Sequence, residues 1–176
     1  MATRHPTQTM NLEAIGIIHS PHHESEKTPL QPSVAAGTEG VVEVFPQFAA
    51  GLKDLDGFER IWLLYWFNRA AEPRLVVTPY LDDERRGLFA TRASCRPNPI
   101  GLSAVRLLGI EGNTLKIADL DILDGTPLLD IKPYVPSFDV FAVQRIGWCG
   151  DAKKDCRVAD GRFERQCGTQ TGRDQT

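Results

Sequence analysis

A chain of 176 residues, 41% apolar and 24% charged, has the size and balance of one soluble domain with a real core. Its formal net charge of -3 and pI near 5.8 exclude a global basic field, so any surface for nucleic acid must be local. The longest apolar run, residues 61–67, is far too short for a bilayer-spanning helix, and the expectation is no membrane association.

The first ten residues carry Arg, His, Pro, Thr and Gln without periodicity and read as a loose leader (1–10), not a signal peptide. Residues 15–18 form a first strand, closed by His19-Ser20-Pro21. His19, His22 and His23 cluster, but in a loop and without an i,i+4 helical pair. Solvated or hydrogen-bonding histidines are therefore expected in preference to metal ligands. Residues 24–37 make a long polar loop, a frequent carrier of function, and 40–45 a second strand. Phe48, Leu52 and Leu55 have helical spacing, which predicts a short helix over 48–55 ending at Asp56-Gly57. The aromatic and aliphatic run 61–67 predicts a strand buried on both faces, with Asn68 and Arg69 at its rim. A short strand at 75–78 and an acidic-basic surface turn at 82–86 follow.

The stretch 89–103 is the most distinctive in the chain. Pro97 and Pro99 fix φ and push Arg96 and Asn98 toward extended backbone, giving a stiff polar loop between expected strands at 88–90 and 102–108. It presents Arg92, Arg96 and Asn98. Residues 85–106 hold five arginines and no acid, which makes a local anion-binding patch unless Asp82, Asp83 and Glu84 neutralise it. Beyond it, 102–110, Gly112-Asn113 and 114–123 form a hairpin. Its second strand slips phase, Leu115 and Ile117 keeping one parity and Leu120 and Ile122 the other. A β-bulge near Ala118, Asp119, Leu120 and Asp121 is expected, either to re-aim backbone at a site or simply to bend the strand. After the turn Asp124-Gly125-Thr126-Pro127, an extended strand alternates Asp130, Lys132 and Tyr134 with Leu129 and Ile131. That face is either exposed or turned toward a pocket.

Residues 148–176 read as a C-terminal tail, with disorder expected from about 168. Cys95, Cys149, Cys156 and Cys167 form no Cys-x-x-Cys pair and the last three have no histidine nearby. No metal site or disulfide framework is expected, and a reducing, cytoplasmic setting is. Short strands, frequent Pro and Gly, and one or two short helices predict a mainly β fold over 11–147: a small single-sheeted antiparallel β-barrel. No Gly-rich strand-turn-helix is present, so neither a Rossmann crossover nor a P-loop is expected.

Several of these stretches together resemble one family. They are the first strand with Ile18-His19-Ser20-Pro21, Gln31-Pro32, Phe89-Ala90-Thr91-Arg92, Arg96-Pro97-Asn98-Pro99-Ile100-Gly101, and 124–127 through Asp130-Ile131-Lys132-Pro133-Tyr134. Over roughly 12–139 the chain is similar to the TsaA/TrmO-like β-barrel tRNA methyltransferases. The resemblance implies S-adenosyl-L-methionine as cofactor, a homodimer with the cofactor near the subunit junction, and N6-methylation of threonylcarbamoyladenosine beside the tRNA anticodon. It implies a cofactor region at Gln31, Pro32, Ser33 and Val34, at Asn68 and Arg69, at Arg92 and Leu102, and at Ala118, Asp119, Leu120 and Asp121. Asn68 stands where the family usually has histidine, and Glu59-Arg60 where a second histidine is common. The chain is also expected to lack the C-terminal domain of many bacterial relatives.

Given that reaction, Arg92 suits the cofactor carboxylate, and Asp119 or Asp121 the sulfonium field or the ribose and amino groups. Asp130, or Tyr134 beside Lys132, suits the base that takes the N6 proton, with Asn98 among the catalytic candidates. Arg96 and Lys132 suit substrate phosphate or the threonyl carboxylate. The alternatives are a cofactor-binding sensor barrel and methyl transfer to a small molecule.

Overall fold

The computed structural model describes residues 9–151 and 158–164. Most of the expected leader, the part of the tail from 168 onward, Cys156 and Cys167 lie outside the described residues. The described residues hold eight strands: β1 Gly16–His19, β2 Glu39–Val44, β3 Arg60–Trp66, β4 Val76–Val77, β5 Arg86–Gly87, β6 Ile100–Glu111, β7 Thr114–Ala118 and β8 Thr126–Pro133. Six of them close an antiparallel barrel in the order β1-β2-β7-β6-β3-β8, and β4 pairs with β5 in a separate two-stranded sheet. The only α-helix among the described residues is the four-residue α1, Pro136–Asp139.

The barrel follows from period-2 alternation. Ile18, Val42, Val44, Ile61, Leu63, Val105, Leu115, Ile117 and Leu128 all point inward and are buried. Each such side chain contributes roughly 1.5–3 kcal/mol by leaving water. The β6–β7 hairpin turns on Gly112-Asn113, with Gly112 at φ 63°.

Three sequence expectations are corrected. First, β3 is not buried on both faces: Ile61, Leu63 and Tyr65 face the core, while Trp66 on the opposite parity is 48% exposed. Its continuous apolar pattern reflects one core face and one aromatic outer face. Second, the expected helix over 48–55 is a 3-10 helix, Pro46–Leu52, followed by a second 3-10 turn, Leu55–Gly57. Asp54, at φ 64°, breaks the chain between them. Third, residues 88–90 are a 3-10 turn and not a strand. The phase slip is real but takes another form: β7 ends at Ala118, and Asp119 at φ 64° flips the parity so that Leu120 and Ile122 return to the core.

A second apolar cluster of Val77, Leu88, Ala93, Cys95 and Phe163 lies beside the barrel. Phe163 comes from the C-terminal segment. That segment is tied down by Ala159 N–H donating to Thr28 O (3.0 Å), by Ala71 N–H donating to Phe163 O (2.8 Å), and by the Tyr80–Phe163 edge contact at 5.1 Å.

Candidate functional site: a carboxylate-floored cleft at the barrel edge

A cleft of about 990 Å³ opens where the 24–37 loop, the end of β3, the proline loop and the C-terminal segment meet. That is room for a cofactor-sized ligand. Its floor is built from strand ends. Tyr65 and Ser103 face inward from neighbouring strands, their hydroxyls 3.1 Å apart. Gly101 lets the Tyr65 ring lie flat on the β6 backbone, since a β-carbon there would overlap the ring. Asp121 joins them from the segment after Asp119. Its Oδ1 is buried with no hydrogen-bond partner among the described residues. Burial pushes the Asp121 carboxyl up to about 6, against the lowering pull of the Ser103 hydroxyl and the Arg92 charge. Burial, with the Asp121 charge adding to it, pushes the Tyr65 phenol up, so Tyr65 stays protonated and serves as a donor.

The walls carry cations and aromatics. Arg92 donates to Gln31 Oε1 at 3.0 Å, joining the proline loop to the 24–37 loop. Arg69 donates to His23 O and Asp124 O at 3.1 and 3.3 Å. Phe67 packs edge-on to Tyr65 at 5.2 Å. Trp148 donates its indole N–H to Ala90 O at 2.8 Å and lines the same cleft as Phe163 and Glu164.

Of the sequence-derived cofactor residues, Gln31, Val34, Asn68, Arg69, Arg92, Leu102 and Asp121 line the cleft, and so does Arg96. Pro32, Ser33, Ala118, Asp119, Leu120 and Asn98 do not. Asp119 is instead a structural clamp. The Gly37 N–H (2.9 Å) together with Arg60 (2.7 Å) and Arg106 (3.6 Å) holds its carboxyl below the usual carboxylate range, and it fixes the parity flip. Leu120 is core. Arg96 points one guanidinium nitrogen at the carbonyls of Thr91 (3.0 Å), Ala93 (3.4 Å) and Leu88 (3.5 Å), so it braces the loop from within. Of the other arginines in the run, Arg86 pairs with Asp82 and Glu84, the neutralisation the sequence allowed.

Asp130, Lys132 and Tyr134 lie outside the cleft. Asp130 pairs with Leu64, which pairs with Leu102, so Asp130 sits two strands from a cleft-lining residue on the same outer face, about 10 Å away. Lys132 holds Asp130 at 2.7 Å, and Tyr134 packs against Trp62 at 5.4 Å. His22 donates Nε2–H to Leu120 O (3.0 Å), and His19 and His23 lie 3.8 and 3.5 Å from Asp124 carboxylate oxygens. No group of three His, Cys, Asp or Glu side chains among the described residues is arranged to hold a metal ion.

Sequence reasoning missed Tyr65 and Ser103, and missed Ser25, Trp148, Phe163 and Glu164. Tyr65 was hidden inside a run that reads as core. Ser103 had a usable signal, a polar residue at an inward position of β6.

A closed antiparallel barrel whose edge cleft combines a buried carboxylate, guanidiniums and aromatics is a small-ligand-binding β-barrel domain. Residues 17–140 match the family described as tRNA-methyltransferase O N-terminal domain, and the chain belongs to that family. It is 56% identical over 151 residues to a probable S-adenosyl-L-methionine-binding protein of Pyrococcus abyssi, covering 85% of this chain and 82% of that one. It is 36% identical over 138 residues to the tRNA (adenine(37)-N6)-methyltransferase of Escherichia coli, covering 73% of this chain but 59% of that one. The crystal structure of TrmO from Pseudomonas aeruginosa superposes with a TM-score of 0.67 at 40% identity, over 80% of this chain and 62% of that one. The chain thus spans most of the Pyrococcus protein but only about three fifths of the two bacterial ones.

Proposed function

We propose that the protein is an S-adenosyl-L-methionine-dependent methyltransferase acting on N6 of adenosine 37 in tRNA, and that its target carries the threonylcarbamoyl group. The observation that carries this reading is the buried Asp121 carboxylate, one oxygen of which has no hydrogen-bond partner among the described residues, at the floor of a cofactor-sized cleft in a chain of this family. A carboxylate so placed attracts a cation, and the cofactor supplies a methyl sulfonium as the electrophile. The protein's task is then alignment and field. Asp121 would face the positive centre of a bound cofactor, with Tyr65 and Ser103 fixing its orientation. Phe67 and Leu102 exclude water. Gln31 and Val34 with Asn68 bound the cofactor, and Pro32, Ser33, Ala118, Asp119 and Leu120 shape its surroundings from behind. Arg69 and Arg92 are the two guanidiniums that meet the carboxylates of cofactor and target.

The target base enters along the outer face between Leu102 and Asp130. Asp130, paired with Lys132 at 2.7 Å, would accept the N6 proton when the methyl group is transferred. Tyr134 supports that face through Trp62, and Asn98, Arg96 and Lys132 meet the nucleotide. The enzyme works as a homodimer in the cytoplasm, with tRNA as its partner. Support for pairing comes from residues 138–146, where Phe138, Val140, Phe141, Val143 and Ile146 are each more than 60% exposed.

The test is an incubation of labelled cofactor with bulk tRNA, with and without the threonylcarbamoyl modification, followed by nucleoside analysis. Label in modified tRNA alone is the expected result. Binding of the cofactor with no label in either tRNA assigns the barrel to sensing or small-molecule chemistry instead. Methylation that survives alanine at both Asp130 and Tyr134 removes the base assignment.

A further inference from the structure

The segment 158–164 lies beyond the family match at 17–140, yet it forms one wall of the cleft. It is stitched to the barrel side by the bridges Pro29–Val158 and Ala70–Glu164. Four buried side-chain polar atoms lack a hydrogen-bond partner among the described residues. Three of them, Ser25 Oγ, Asp121 Oδ1 and Glu164 Oε1, belong to residues lining this one cleft. Buried polar atoms are almost always paired, so three orphans around one concavity point to a ligand that completes them.

Asp121 is accounted for above; Ser25 and Glu164 are not. Glu164 sits beside Ala70, next in sequence to Arg69, and the charges of Arg69 and Glu164 reach one another. Both side chains line the cleft, but no ion pair joins them among the described residues. Arg69 is held by the carbonyls of His23 and Asp124. A fixed guanidinium and a carboxylate with one buried oxygen unsatisfied, near one another without an ion pair among the described residues, match the opposite charges of an amino-acid zwitterion: carboxylate toward Arg69, ammonium toward Glu164.

We propose that Glu164 and Ser25, with Arg69, form the subsite for the zwitterionic amino-acid end of the cofactor, so that the C-terminal segment is part of the cofactor site. This inference rests on the cofactor reading above, and it leaves Arg92 for the carboxylate of the target nucleoside.

Calorimetry on the full chain tests it with two probes: S-adenosylhomocysteine, which keeps the amino-acid end, and 5′-methylthioadenosine, which lacks it. Glu164→Gln should weaken S-adenosylhomocysteine about tenfold or more and leave methylthioadenosine unchanged, the second probe also reporting that the variant is folded. Ser25→Ala should act in the same direction by a smaller factor. If Glu164→Gln weakens neither probe, or weakens both equally, the subsite assignment is overturned while the cofactor reading stands. If the unmodified chain binds neither probe, the cofactor reading itself falls and takes the subsite with it.

Discussion

The ring of Tyr65 lies directly on the backbone of Gly101, its neighbour across the β3–β6 pairing. That contact sets where the Tyr65 hydroxyl stands, 3.1 Å from Ser103. Even the smallest side chain at Gly101 would overlap the ring. Gly101→Ala is therefore expected to displace Tyr65 and cost about 1–3 kcal/mol through overpacking. Cofactor affinity should fall more than tenfold. Thermal denaturation and calorimetry check the two effects separately. A variant with unaltered affinity would show that Tyr65 does not shape the ligand's seat.

Asp121 ties ligand affinity to pH. Its carboxyl sits near 6 in the folded protein, above the ordinary 3.8, because it is buried. The folded state therefore holds that proton more tightly than the unfolded chain. The resulting stabilisation is present below 3.8 and is lost as pH rises through about 6. Binding of a cation runs the other way, since it needs the ionised form. Affinity for the sulfonium cofactor should fall about tenfold per unit as pH drops below 6. Glu164 is also raised by burial, so comparison with Asp121→Asn isolates the Asp121 share. At pH 8 that variant should be more stable than the parent by about 1–3 kcal/mol, with weaker cofactor binding. Lower stability at pH 8 would contradict a carboxylate whose burial outweighs its hydrogen bonds.

The barrel was legible because its signals are local. Alternation of Leu115 and Ile117, the Gly112-Asn113 turn and the parity change around Asp119 each lie within a few residues. The cleft was legible only in part, because its floor depends on which strand end faces which. Tyr65 and Ser103 meet through a cross-strand register that no short window contains. That Arg96 also braces its own loop could not be read from the sequence, because a proline loop displays its residue types but not where its carbonyls turn. The C-terminal wall was invisible for the same reason. Phe163 finds Tyr80 and Ala71 from far along the chain, in a stretch whose Gly, Asp and Arg content suggests no structure.

Residues 138–146 make an oligomer prediction. Phe138 is 72% exposed and Phe141 76%, in a stretch with three further exposed aliphatics. A monomer leaves these side chains in water, whereas the second copy of the proposed homodimer would cover them. The double substitution Phe138→Ser and Phe141→Ser is expected to halve the mass seen by light scattering at micromolar concentration and leave the circular dichroism of the barrel unchanged. An unchanged mass would move the subunit contact to another face.

The last prediction separates the C-terminal segment's packing from its chemistry. Phe163 is 4% exposed and joins Val77, Leu88, Ala93 and Cys95 in the cluster beside the barrel. Phe163→Ala removes a buried aromatic at about 3–5 kcal/mol if the whole fold depends on that cluster. The main barrel core shares none of these residues, so the loss should instead appear as local release of 158–164. Hydrogen exchange would then show loss of protection at the Ala71 and Ala159 amides, both bonded to or from this segment. Protection in β3, β6 and β8 should persist. Cofactor affinity should drop at least as far as in Glu164→Gln, since detaching the wall removes Glu164 with it. Global loss of protection in the barrel strands would show that this segment belongs to the folding unit and is not a separable wall.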